Sequence, residues 1–193
     1  MENERYTMAD LKKALAILWE LEHDSNPEKV LHVNKGENGY TFFGIYQSAH
    51  PNLTLWNVVR QKLSQYNGDV KLAGSILSDN PRVLELVEHF YQREFWGKMK
   101  LDEVVSQHIA NEMMIFGVNT HPITAIKVAQ RIVGVKQDGI IGKVTINALN
   151  GFDEGVFSEM FDVLEKEHYE KIVMARPEKM MYLAGWRNRA EAV

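Results

Sequence analysis

The sequence predicts a mainly α protein with one small β-hairpin or loop region near residues 30–48. Three observations carry this expectation. Apolar residues recur at helical spacing through most of the chain, as in Leu11, Leu15 and Leu18. A single irregular stretch, residues 24–52, holds the turn cluster Lys35-Gly36-Glu37-Asn38-Gly39 and then the aromatic, β-prone run Tyr40-Thr41-Phe42-Phe43-Gly44-Ile45-Tyr46. No stretch rich in Pro, Ser or Gly separates a front half from a back half.

Thr7-Met8-Ala9-Asp10 reads as a capping box that opens the first helix, which should run to Glu22 or His23 before Asp24-Ser25-Asn26-Pro27 stops it. Helical period returns from Thr54 to about Tyr66, and Pro81 opens a helix carrying Val83, Leu84, Val87, Phe90 and Tyr91. Val104 to Phe116 reads as a largely apolar, buried helix. Thr120-His121-Pro122 begins another, over Ile123 to Val133, and Glu154 to Met174 reads as a long closing helix. Asp138-Gly139 makes a tight turn and Lys143 or Thr145 starts a helix, so the run from Asp138 to Thr145 needs no ligand to explain it. Gly117-Val118-Asn119 is the expected seam between residues 1–117 and 118–193, with no flexible linker there.

Composition narrows the function. The 193 residues are 45% hydrophobic and 25% charged, with a net charge of −4 and no basic tract, so neither nucleic acid nor membrane is an expected partner. There are no cysteines, which removes disulfides, thiolate metal sites and cysteine nucleophiles together. No run approaches the roughly 20 apolar residues of a membrane span. The acidic start, Met1-Glu2-Asn3-Glu4-Arg5, lacks the apolar core of a secretion signal, so synthesis in the cytoplasm is expected. The histidines lack metal-site spacing, and neither a metal nor an organic cofactor is expected.

Leu11, Leu15 and Leu18 are followed on the same helix face by Glu22, where another leucine would fit. A carboxyl that loses hydration at the negative end of a helix dipole is suited to donating a proton, which makes Glu22 the candidate general acid. The alternative is a half-exposed residue that merely ends a helix. A second polar group to hold or activate water could be Thr41 or Glu37 in the turn region, or Asp24 or Asp69. Tyr40, Tyr46, Phe43, Trp56 and Trp96 could line a binding groove, although the tryptophans also read as core anchors.

Several stretches in one order carry a resemblance: Glu22, Asn38 to Ile45, Phe95-Trp96, Ile109 to Asn119, Ala125 to Gln130, Asp138 to Thr145, and Gly185-Trp186-Arg187-Asn188-Arg189. Together the chain resembles the glycoside hydrolase family 108 muramidases, found among phage endolysins and bacterial secretion-activator proteins. Where members read Glu-Gly-Gly-Tyr this chain reads Glu22-His23-Asp24-Ser25, which suggests a divergent subgroup. The resemblance implies a lysozyme-like catalytic part followed by a helical peptidoglycan-binding module. It further implies cleavage of the β-1,4 bond between N-acetylmuramic acid and N-acetylglucosamine, with Glu22 as acid. Thr41 and Glu37 are the favoured assisting residues because they lie in the turn after the helix, and Tyr40, Tyr46, Trp96 and Asn119 are the expected substrate contacts, the aromatics by stacking on pyranose rings. Glycan strands of peptidoglycan would be the partner of a monomer released to the wall by a holin or another route. Alternatives on the same scaffold are a non-catalytic wall-binding or structural phage protein and a chitin-directed hydrolase.

Overall fold

The computed structural model describes residues 7–34 and 38–190. Among them the fold is mainly α and lysozyme-like, with one small antiparallel sheet, as the sequence predicts. Two compact units divide the chain, one spanning Leu15–Tyr91 and the other formed by the residues before Leu15 and from Gln92 onward.

Helix α1 (Leu11–His23) gives the first unit its residues from Leu15 onward and buries Leu15 and Leu18 completely. The sheet follows: β1 (Leu31–His32), β2 (Thr41–Phe42) and β3 (Ile45–Tyr46) pair in sequence order, with Leu31 opposite Phe42 and Thr41 opposite Tyr46. Each strand has only two residues, so side chains rather than the ladder hold the sheet in place. Helices α2 (Leu55–Gln65), α3 (Val70–Ser78) and α4 (Pro81–Tyr91) complete the unit. Helix α3 approaches β1 through Gly74, where a Cβ would stand 2.9 Å from the Leu31 Cβ.

In the second unit a π-helical turn (Gln92–Trp96) leads through a 3₁₀ turn (Leu101–Glu103) to α5 (Gln107–Asn119). Helix α5 is buried without a break from Ile109 to Gly117, which explains its lack of an amphipathic pattern. Helices α6 (Pro122–Ile132), α7 (Lys143–Asn150), α8 (Glu154–Ala175) and α9 (Leu183–Ala190) follow, the last two joined by a 3₁₀ turn at Pro177–Tyr182. Phe116 of α5 meets Phe161, His168 and Tyr169 of α8 edge-on at 5.4 to 5.9 Å. The run from Asp138 to Thr145 is organised by buried Gln130, whose amide nitrogen donates to Asp138, the Ile140 carbonyl and Thr145. Its amide oxygen accepts from the Gly139 backbone, so this motif is structural, as the sequence suggests.

Several boundaries differ from expectation. Helix α1 begins at Leu11, with Asp10 accepting from the Lys12 backbone, and Thr7 to Asp10 form no capping box. The backbone donors of Ala9 and Asp10 are instead engaged by the Val104 carbonyl and the Gln107 side chain. Helix α5 starts three residues later than predicted, because Ser106 caps it by accepting from the Ile109 backbone. Helix α3 and helix α9 have no counterpart in the predicted elements, and α8 is therefore not the closing helix. The expected seam at Gly117-Val118-Asn119 falls in the last turn of α5. No helix among the described residues is long and apolar enough to cross a membrane.

Candidate active site

Helix α1 carries Glu22 to its last turn and ends in a left-handed bend, with Asp24 at φ +52° and Ser25 at φ +47°. Glycine favours such a bend, and Asp24 stands where the resembled motif has its second glycine. Asp is among the few L-residues that tolerate this region, and an exposed ion pair to Lys29 holds it there. That pair keeps the Asp24 carboxyl below its ordinary range and gives the residue a structural occupation.

Glu22 is half-buried and meets the turn between β2 and β3. Phe43 and Gly44 are the two central residues of that turn, at φ +47° and +74°, the pattern of a type I′ hairpin. Positive φ is unusual for a bulky aromatic residue, so neighbouring contacts must hold Phe43 there. Its backbone N–H donates to the Val30 carbonyl at 2.9 Å. Its carbonyl accepts from the buried Tyr91 hydroxyl at 2.6 Å. Its ring packs against Trp19, His23 and Phe42 at 4.9 to 5.2 Å. Gly44 then leaves room for the acid: a Cβ there would lie 2.9 Å from the Tyr91 hydroxyl and 3.4 Å from the Glu22 carboxyl carbon. Glycine is required at this position both for its φ and for the space.

Glu22 opens onto a pocket of about 560 Å³ that it shares with Glu28, His32 and Lys71 around the apolar Leu31 and Val70. The volume is in the range of a small-molecule site. Next to Glu22, His23 is buried, and that burial holds its pKa below the ordinary value against the opposing pull of Glu22. A neutral imidazole therefore flanks the acid near neutral pH. Thr41, on the central strand, is 7% exposed, and its hydroxyl has no hydrogen-bond partner among the described residues. A buried hydroxyl without a partner is costly, so this oxygen needs a hydrogen bond that the described residues do not supply.

The other candidates are distributed unevenly. Tyr40 and Tyr46 are half-buried around the sheet, where the Tyr40 backbone donates to Gln47 and the Tyr46 hydroxyl to the Asn38 carbonyl. Glu37 lies outside the described residues. Asp69 caps α3 by accepting from the Leu72 backbone at 3.0 Å. Trp56 is fully buried and donates its indole N–H to the His50 carbonyl. Trp96 is 2% exposed and offers no open face for a sugar to stack on. Asn119 belongs to the other compact unit, where its amide donates to the Tyr169 hydroxyl at 2.6 Å. Among the described residues no group of carboxylates and histidines is arranged to hold a metal ion.

Sequence reasoning missed Glu28, Tyr91 and two buried acids. Glu28 lies in an irregular stretch with no pattern to mark it, and Tyr91 reads only as an apolar helix position. Glu112 and Glu165 are 1% and 3% exposed, and burial pushes their carboxyls up to about 8 and about 7. Ser158 donates to Glu112 and Tyr169 donates to Glu165, each at 2.7 Å. An acid inside the apolar stretch from Asn111 to Phe116 was the available signal for Glu112.

A mainly helical chain with a small antiparallel sheet after its first helix has a lysozyme-like fold. Residues 29–120 match the family model described as Glycosyl hydrolase 108, and residues 124–191 match the one described as Predicted Peptidoglycan domain. Neither match alone spans half of the chain, and together the two cover most of it. A solved structure of SagA from Brucella abortus shares the fold, with a TM-score of 0.57, 19% identity and 94% of each chain covered. No curated protein matches the chain. The two domains together support a peptidoglycan hydrolase of the glycoside hydrolase type.

Proposed function

We propose that this protein is an N-acetylmuramidase that cleaves the β-1,4 bond between N-acetylmuramic acid and N-acetylglucosamine, with Glu22 as the general acid. The observation that carries this reading is the placement of the Glu22 carboxyl against the Phe43-Gly44 turn, at the edge of a pocket within a glycosyl hydrolase domain. Glu22 gives its proton to the leaving glycosidic oxygen as the bond to the anomeric carbon breaks. Water held by the Thr41 hydroxyl adds to that carbon, its proton leaves to solvent, and Glu22 regains a proton from the open pocket. Glu37 is the second carboxylate of the proposal. Tyr40 and Tyr46 flank the sheet and are suited to border the glycan.

Residues 1–117 are proposed to supply catalysis and residues 118–193 to hold the wall. The protein is proposed to act as a monomer, made in the cytoplasm and reaching peptidoglycan through a holin or another export route. Digestion of purified peptidoglycan, with the new reducing ends identified by mass spectrometry, tests the bond. N-acetylmuramic acid at the new ends is the expected result. N-acetylglucosamine ends would refute the muramidase assignment, and release from chitin alone would favour the chitin-directed alternative.

A further inference from the structure

A second pocket, of about 300 Å³, lies within the predicted peptidoglycan domain. Lys127 and Arg131 come from one face of α6, four residues apart, and Lys171 comes from α8. Val128 and Leu164 supply apolar lining between them, and the loop that follows α6 closes the side. His168 also lines the pocket, its ring set edge-on against Phe116 at 5.4 Å. Burial and the nearby Lys171 ammonium hold the His168 pKa below its ordinary value, so it adds hydrogen bonding rather than charge near neutral pH.

The positive charge here is incompletely matched. Glu167 stands 3.8 Å from Arg131 and 3.4 Å from Lys171, one carboxylate shared by two cations. Lys127 has no ion-pair partner among the described residues. Three cations against one acid, in a chain whose net charge is −4, form a local site for an anion rather than a general basic surface. Arg and Lys in such a setting bind carboxylates through charge-assisted hydrogen bonds. The apolar lining suits a ligand with aliphatic parts, and the volume lies at the small end of ligand pockets.

We propose that this pocket reads the free carboxylates of peptidoglycan stem peptides. The inference rests on the assignment of residues 124–191 as a peptidoglycan domain, and on charge to choose the group bound. Among wall components, N-acetylglucosamine is neutral and the lactyl carboxyl of muramic acid is consumed in the amide that joins the stem. Free carboxylates in the polymer belong to the peptide. A bound carboxylate would compete with Glu167 for Arg131 and Lys171 and would give Lys127 a partner.

The test is titration of the full chain, by calorimetry, with a soluble stem tripeptide, with the same peptide amidated at its carboxyls, and with N-acetylmuramic acid amidated at its lactyl carboxyl, as it is in the polymer. No hydrolysis is needed, so the result is independent of whether Glu22 is the catalyst. The expected result is binding of the free-carboxylate peptide alone, weakened about 10-fold in Lys127→Ala and in Lys171→Ala. Glu167→Gln should tighten it, because the change releases two cations, and Lys13→Ala, on an exposed face elsewhere, should leave it unchanged. All four positions are exposed or half-exposed, so the fold is not at risk. Equal binding of the amidated peptide would overturn the proposal. So would binding of the lactyl-amidated N-acetylmuramic acid in place of the peptide, or indifference to the three pocket substitutions.

Discussion

Phe43 sits at positive φ, and what holds it there also fixes the wall against which Glu22 rests. The buried Tyr91 hydroxyl donates to its carbonyl. Tyr91→Phe removes that donor and leaves a buried carbonyl unsatisfied, so urea denaturation should show a loss of about 1–3 kcal/mol. Activity should fall with it even at temperatures where the variant is fully folded, since the turn positions the acid. Glu112 and Glu165 make a prediction of opposite chemical character. Both carboxyls are held above their unfolded values, up to about 8 and about 7, because burial disfavours the anion. Between the unfolded pKa near 4.5 and these folded values, the native state binds more protons than the unfolded chain. Stability must therefore fall as pH rises through that window, by up to about 1.4 kcal/mol per pH unit for each acid. Thermal melts of Glu112→Gln across pH 5 to 9 should show a shallower decline than the wild type. A steeper or unchanged slope would mean that Glu112 is not the group that titrates.

At the scale of elements, the helices were legible where apolar periodicity was strong and less so where a cap decided the boundary. Helix α6 and helix α8 lie within a residue or so of their expected limits. Helix α3 was not visible, because its start is set by one side-chain cap, Asp69, and its single glycine face is explained only by contact with β1. The same residue shows how a cap and a catalyst are confused in sequence: an isolated Asp after Asn67-Gly68 fits either role. Because Asp69 accepts from the Leu72 backbone, Asp69→Ala should cost about 1 kcal/mol of stability and leave kcat at the wild-type level when assayed below the melting temperature. A loss of turnover without a loss of stability would return Asp69 to the active site. The turn at Phe43-Gly44 was legible as a hairpin from its aromatic and glycine content. Its positive φ at phenylalanine was not, because the Tyr91 contact that holds it is 48 residues away in sequence.

Across the whole molecule, the mainly α class followed from periodicity, and the family followed from the order of several weak motifs rather than from any one of them. The Glycosyl hydrolase 108 match begins at residue 29, after Glu22, so the acid rests on geometry and on its place at the end of α1. His23-Asp24-Ser25 stands in place of the Gly-Gly-Tyr of the resembled motif, and the chain makes a left-handed bend at Asp24 and Ser25, with Asp24 paired to Lys29. The central claim is therefore the role of Glu22, and Glu22→Gln tests it most directly because it keeps the size of the side chain and removes the proton. Turnover on purified peptidoglycan, measured beside a thermal melt, should fall by at least about 100-fold with little change in melting temperature. Wild-type turnover in a folded Glu22→Gln protein would contradict the account and place the acid elsewhere.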